Sequence, residues 1–290
     1  MADLKKRLPA NVPGEFYVDS TCIDCDACRQ LASSVFAEED GYSAVAHQPT
    51  TAVERRAAQR ALLACPTGSI GTLTKNSIAD VVSDFPLLLE NNVYYCGFNS
   101  PKSFGGNSYF VQHPDGNWLI DSPRFTQPLL SAVEKLGGLR YIFLTHRDDV
   151  ADAAKFAAHF GGERIIHQNE VHSQPGAEIV IHGFDPVAIT PEFLVIPTPG
   201  HTRGHCCLLY SNRYLFTGDH LDWDRESKRL DASPDYCWYS WPQQRESITR
   251  LLQYPFNWVL PGHGQRIHLP AVEMRKHLQD LVRRTDRIQP

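Results

Sequence analysis

Residues Leu144–Asp152 read LTHRDDVAD. An apolar run stops abruptly at Thr145 and His146, and Asp148, Asp149 and Asp152 crowd the residues that follow. Three later stretches repeat this change from apolar to polar. They are Pro197–His205 (PTPGHTRGH), Leu215–His220 (LFTGDH) and Leu260–Gly264 (LPGHG). Ligands of layered α/β folds bind just beyond strand ends, so repeated polar punctuation there marks a site. The four stretches offer His146, Asp148, Asp152, His201, Asp219 and His263 as one constellation. Imidazoles with carboxylates suit zinc or non-haem iron. Taken singly, a histidine is more often a surface or satisfied core residue. His47, His113, His159, His167, His172, His182 and His268 read that way.

Around these stretches the chain alternates short β-rich and helical runs from Val93 onward. Strands are expected at Ser108–Val111, Trp118–Ile120, Tyr141–Leu144, Arg164–His167, Phe193–Ile196, Cys206–Leu209, Tyr214–Phe216 and Trp258–Leu260. Helices are expected at Pro128–Leu136, Val150–Phe160, Gln243–Tyr254 and Ala271–Arg284. Asp148 and Asp152 are four apart, so a helix starting there would set both on one face. His205 follows His201 by four and is a candidate to support it; His220 faces either pocket or solvent. Residues 221–241 (LDWDRESKRLDASPDYCWYSW) are polar and aromatic, fit either for a substrate wall or for core packing. Arg147 and Arg203 could hold an anionic substrate, though surface ion pairs suit them slightly better.

The N-terminal part has a different texture. Residues 1–14 read as a lead-in. Within residues 15–73, a strand at Phe16–Val18 precedes a cysteine-rich loop. A second strand, Tyr42–Ala46, follows the Asp40-Gly41 turn signal, and an alanine-rich helix covers Thr51–Ala64. Cys22, Cys25 and Cys28 form C-x2-C-x2-C, and Cys65 precedes Pro66. Three thiolates from one tight loop plus a fourth from elsewhere suit a cubane 4Fe–4S cluster. Structural zinc sites more often pair C-x2-C with another such pair or with histidines. Asp24 and Asp26 lie between the ligands, and their charge is expected to lower the cluster potential. Residues 74–92 carry an apolar helical stretch (Ile78, Val81, Val82, Phe85, Leu87–Leu89) and serve as connector to a second domain, 93–290.

The bulk composition excludes other classes. The 290 residues carry a net charge of -5, without the clustered basic face of a nucleic-acid binder. No apolar run approaches the roughly 18 residues of a membrane span, and the N-terminus lacks the apolar core of a secretory signal. A cytoplasmic location, with the eight cysteines reduced, is the expectation.

Two resemblances sharpen this picture. CIDCDACRQLASSVF (Cys22–Phe36), DGYSAV (Asp40–Val45) and ACPTGSI (Ala64–Ile70) resemble single-cluster bacterial ferredoxins. The later frames resemble the metallo-β-lactamase fold of glyoxalase-like hydrolases and flavodiiron proteins, over most of residues 93–268. Together they imply a small α+β ferredoxin-like domain followed by an αββα sandwich. In the second family a motif H-x-H-x-D-H opens the site. Carried over, His146 matches its first histidine, His201 the later one, Asp219 the bridging aspartate and His263 the last. Asp148 stands where the second histidine is usual, as a glutamate does in flavodiiron proteins. Val150 and Ala151 occupy the Asp-His pair. A two-residue lengthening would give the aspartate's role to Asp152 and the histidine's to Ala153, which cannot ligate. The resemblance then implies one zinc or iron ion on His146, Asp148, His201 and Asp219. A weaker second site would use Asp152, Asp219 and His263. Asp149 is an alternative to Asp148.

Hydrolysis of a thioester- or lactone-type small molecule is the leading expectation, with Asp219 or Asp152 orienting hydroxide or taking the proton. A second option is redox catalysis, with the cluster or a redox partner passing electrons to non-haem iron, or a mononuclear iron enzyme like persulfide dioxygenases. A third is a non-catalytic electron-transfer or binding module.

Overall fold

The computed structural model describes residues 2–74 and 77–286, so Met1, two connector residues and the last four residues of the second domain lie outside the described residues. The chain divides into two compact units, Met1–Leu139 and Arg140–Pro290.

In the first unit, strand Phe16–Val18 pairs antiparallel with Ile70–Thr72. The Asp40-Gly41 signal makes a two-residue hairpin between Phe36–Glu39 and Tyr42–Val45. Both turn residues have positive φ (53° and 75°), the conformation that tight hairpin turns need and that Asp-Gly tolerates. The helix Ala52–Ala64 starts at a capping box. Glu54 N–H donates to Thr51 Oγ1 at 3.1 Å, and Thr51 N–H to Glu54 Oε2 at 3.0 Å. Its fully buried Ala58 and Ala61 pack against Phe16, Val18, Phe36, Val45 and Ile70, and Cys28 and Cys65 border that core.

The same unit continues as an antiparallel meander of Leu87–Glu90, Val93–Tyr95, Tyr109–Val111 and Trp118–Ile120, then the helix Gln127–Lys135. The helical reading of the connector is corrected here. Among its described residues only Ala79–Val82 is α-helical, and Leu87–Glu90 pairs as a strand with Val93–Tyr95. Phe85-Pro86 separates the two, and a residue before proline is held away from helical conformation.

In the second unit, Tyr141–Phe143, Glu163–His167 and Ile179–Ile181 pair in parallel, and the helix Ala153–Phe160 makes the crossover between the first two. A separate sheet runs in the order Val187–Thr190, Phe193–Pro197, Cys206–Tyr210, Tyr214–Gly218, Trp258–Pro261, Ile267–His268. Tyr214–Gly218 and Trp258–Pro261 are parallel, and the helix Trp241–Leu251 lies between them in sequence. Ile196, Leu209, Leu215 and Val259 of this sheet form one core with Ile248 and Leu251, and with Leu278 and Leu281 of the last helix, Ala271–Thr285. Among the described residues no helix is long and apolar enough to cross a membrane.

Candidate metal centres

Four thiols line one cavity in the first unit. Cys22, Cys25, Cys28 and Cys65 share it with Ser43, Thr67 and Ser69. The loop can wrap because Asp24 and Asp26 take left-handed conformations, φ 55° and 61°. Backbone N–H groups already aim at sulfur: Ser43 N to Cys22 Sγ at 3.4 Å, and Ser69 N to Cys65 Sγ at 3.3 Å. Burial pushes the Cys25 thiol up to about 12, and Cys28 higher still. Such thiols ionise only against a cationic centre, which is what a cluster supplies. The residues therefore fit a 4Fe–4S cluster. Arg29 meets the Asp24 and Asp26 carboxylates at 2.6 Å each, which offsets much of the charge they bring to the loop.

The second centre is built from strand ends of the second unit. Beyond Tyr141–Phe143 the chain stays extended at His146, then makes a 3₁₀ turn at Arg147–Asp149. Successive residues of such a turn diverge by about 120°, so Asp148 and Asp149 reach different sides. Asp148 is half exposed in its side chain, whereas Asp149 is buried. His201 comes from the loop before Cys206–Tyr210. Its Nδ1–H donates to Tyr236 O at 2.5 Å, which turns Nε2 inward. Asp219 follows Tyr214–Gly218, and His263 follows Trp258–Pro261.

Four atoms converge. His146 Nε2 and His201 Nε2 each lie 3.6 Å from Asp219 Oδ2 and 3.8 Å from Asp148 Oδ2. A tetrahedral ion with bonds of about 2.0–2.2 Å holds its ligand atoms about 3.3–3.6 Å apart. Those separations suit one ion on His146, His201 and Asp148, whose ligand atoms all lie within 4.8 Å of one another, with Asp219 Oδ2 3.6 Å from both imidazoles. His146, Asp149 and Asp219 form a second overlapping set within 4.8 Å. Asp149 and Asp219 also flank Gly262, where a Cβ would stand 2.6 Å from Asp149 Oδ2 and 2.7 Å from Asp219 Oδ1. Glycine is required by that close approach. Gly218 is likewise confined, its would-be Cβ 2.6 Å from Thr145 Oγ1 and 2.7 Å from His205 Nε2.

The electrostatics suit cation binding. Burial pulls His146 down to about 4, so it is neutral and its nitrogen is available. Burial opposes ionisation of Asp219, but His263, His146 and His201 outweigh it and hold the carboxyl well below the usual range. His201, then burial in the opposite sense, then His146 set Asp148, with a net lowering.

Asp152 does not join either set. It is the residue before the helix Ala153–Phe160, and its carboxylate meets Lys155 Nζ at 3.1 Å. The helix expected from Val150 begins three residues later, after Ala151 at φ 30°, so the shared face of Asp148 and Asp152 does not form. Asp149, and not Asp152, lies in the second donor set with His146 and Asp219. The sequence had offered Asp149 only as a substitute for Asp148; the signal for both was the adjacent pair itself, which a tight turn splays. His205 and His220 are fully buried. His205 Nδ1 meets Thr198 Oγ1 at 2.9 Å, and its ring lies 5.2 Å from that of His146 and 5.5 Å from that of His220.

The aromatic stretch divides. Trp241 is buried and Trp223 packs on the core, while Tyr236, Trp238 and Tyr239 are exposed. Trp238 N–H donates to His201 O at 2.9 Å, and the two rings are 5.9 Å apart, so Trp238 stands at the lip of the centre. Arg147 lies 3.6 Å from Asp148 Oδ1, and Arg203 is exposed.

Comparison with known proteins assigns the two centres to two families. The family described as the 4Fe-4S single cluster domain of Ferredoxin I matches residues 18–72, and the metallo-beta-lactamase superfamily matches 102–263. Hydroxyacylglutathione hydrolase of Citrobacter koseri is 34% identical over 127 residues, 42% of this chain and 50% of that protein. The enzyme of the same description from Salmonella arizonae is 32% identical over the same shares. The chain thus spans about half the length of the curated relatives it matches. The solved structure of DIM-1 metallo-beta-lactamase exposed to ceftazidime superposes with a TM-score of 0.52 at 19% identity, covering 68% of this chain and 95% of that one. That likeness bears on the fold alone, and it is the sandwich expected from the strand-end frames.

Proposed function

Because the chain belongs to the metallo-beta-lactamase superfamily, we propose that it is a metal-dependent hydrolase of thioester-type small molecules. It would carry a 4Fe–4S ferredoxin-like domain over residues 15–73 and the hydrolytic centre in domain 93–290. The observation that carries this reading is that His146 Nε2 and His201 Nε2 each lie 3.6–3.8 Å from Asp148 Oδ2 and Asp219 Oδ2. These four residues would hold one zinc or iron ion, with Asp149, Asp219 and His263 offering a weaker second position. Zinc bound there supplies hydroxide near neutral pH and polarises the attacked carbonyl.

The chain's own groups do the rest. His201 is fixed in orientation by Tyr236 O and His146 by Thr145 Oγ1, 3.0 Å from its Nδ1. Asp219 stays ionised and accepts a hydrogen bond from His263 Nδ1. Asp149 and Asp219, either side of Gly262, supply carboxylate oxygens that orient water and take its proton. Trp238 and Tyr236 at the lip form one wall for the acyl or thiol portion. Thioesters are favoured over lactones because the identified relatives act as hydroxyacylglutathione hydrolases. The test is hydrolysis of a thioester and lactone panel by zinc-loaded, iron-loaded and chelator-treated full chain. Turnover of a thioester that chelation and Asp219→Asn both abolish is expected; turnover that survives both refutes the reading.

One observation favours a second reading. His146, His201 and Asp148 make the two-histidine, one-carboxylate set typical of mononuclear non-haem iron. On that reading the cluster domain and a redox partner would deliver electrons. Oxygen consumption by the iron-loaded, reduced protein, without thioester turnover, would select it.

A further inference from the structure

We infer that Arg124 is the built-in counter-charge of the 4Fe–4S cluster, supplied by the metallo-β-lactamase part of the chain and not by the ferredoxin-like segment. The ferredoxin match ends at residue 72, yet Arg124 belongs to the same compact unit. Its Nη2 donates to Leu63 O at 2.9 Å and to Cys65 O at 3.3 Å, gripping the backbone on both sides of Ala64. Its Nε and its backbone N–H both point at Phe98 O, at 3.4 and 2.8 Å.

The neighbouring loop is fastened as tightly. Asn99 N–H donates to Ala64 O at 3.2 Å, Asn99 Nδ2 to Gly105 O at 2.7 Å, and Tyr95 O–H to Asn99 Oδ1 at 2.6 Å. Gly105 (φ 86°) lies directly on the cluster loop: a Cβ there would be 2.6 Å from Cys25 Cβ and 2.9 Å from Cys25 Sγ. Gly105 is therefore packed against the Cys25 side chain, and Asn99 ties the same loop to the backbone beside Cys65.

The charge argument follows. Arg29, the cation inside the cysteine loop, is already spent on Asp24 and Asp26. Arg124 is half-buried, its hydrogen bonds run to neutral carbonyls, and among the described residues no ion pair joins it to a carboxylate. A half-buried guanidinium without an anion is costly. A cubane held by four thiolates is a net anion, and one-electron reduction makes it more so. Cluster and guanidinium compensate each other, and Arg124 acts as a positioning residue that favours the reduced cluster. The inference rests on the ferredoxin-like domain and is independent of the hydrolase reading.

The test uses the full chain, purified without oxygen, with Arg124→Gln and Arg124→Lys. Dithionite and mediators supply the single electron, and the reduced cluster is followed by EPR. Arg124→Gln is expected to lower the midpoint potential, cutting the ratio of reduced to oxidised cluster at the wild-type midpoint about tenfold (59 mV for one electron). Arg124→Lys keeps the charge and should stay close to wild type. An unchanged midpoint in Arg124→Gln, or an equal shift in both variants, overturns the inference. If Arg124→Gln loses its cluster, Arg124→Lys decides: a wild-type midpoint supports the counter-charge and a lowered one overturns it. Loss of the cluster in both variants also overturns it, leaving a clamp without an electrostatic role.

Discussion

His263 Nδ1 lies 2.9 Å from Asp219 Oδ1, so the last histidine of the site is turned onto the aspartate that the whole centre shares. Of the groups that keep Asp219 ionised against its burial, His263 contributes most. Replacing His263 by Ala should weaken metal binding about 10–100-fold, the usual effect of removing a group that orients a ligand. His263→Asn, which keeps a donor, should recover part of it. Competition with a chromophoric chelator measures both; equal affinity in wild type and His263→Ala would remove His263 from the centre.

Asp149 belongs to a donor set and Asp152 does not, so their substitutions should differ in effect. Asp149→Asn should lower thioester turnover about 10–100-fold and abolish any second metal equivalent. Asp152→Asn should leave turnover within about twofold, since its carboxylate meets Lys155 Nζ at 3.1 Å and lies in neither donor set. The reverse ranking in steady-state assays would restore Asp152 as the ligand.

Much of this was legible in the residues. The four strand-end frames named His146, Asp148, Asp152, His201, Asp219 and His263, and the fold brings five of the six together, leaving Asp152 outside. The cysteine spacing named the cavity that the thiols share. What could not be read was local geometry. Whether Asp149 or Asp152 turns inward depends on a 3₁₀ turn at Arg147–Asp149 and on Ala151 at φ 30°, and neither carries a Gly or Pro signal. Leu87–Leu89 reads equally as helix or strand because a short apolar run lacks decisive periodicity; its partner Val93–Tyr95 settles it. Arg124 was silent because its partners are backbone carbonyls about 60 residues earlier.

The buried imidazoles give a pH dependence. Burial lowers His146 to about 4 and His220 to about 3 from an ordinary value of 6.5, and lowers His205 as well. In the unfolded chain these histidines take up protons below about 6.5, while in the folded chain they resist. Stability of the metal-free protein is therefore full above about pH 6.5 and is lost as pH falls toward 4, by an order of 3 kcal/mol per histidine at most. Thermal melts from pH 7.5 to 4.5 should show falling Tm, with a shallower fall in His220→Phe. A Tm flat across this range would contradict the burial of these rings.

The metal centre proposed on His146, Asp148, His201 and Asp219 is distinct from the cluster. The most direct measurement is zinc, iron and acid-labile sulfide per chain in anaerobically purified protein. The expected result is about four iron and four sulfide with roughly one further zinc or iron, and loss of that extra ion alone in a His146→Ala, His201→Ala double variant. Iron matched by sulfide with no further metal, or an extra ion that survives the double variant, would contradict it.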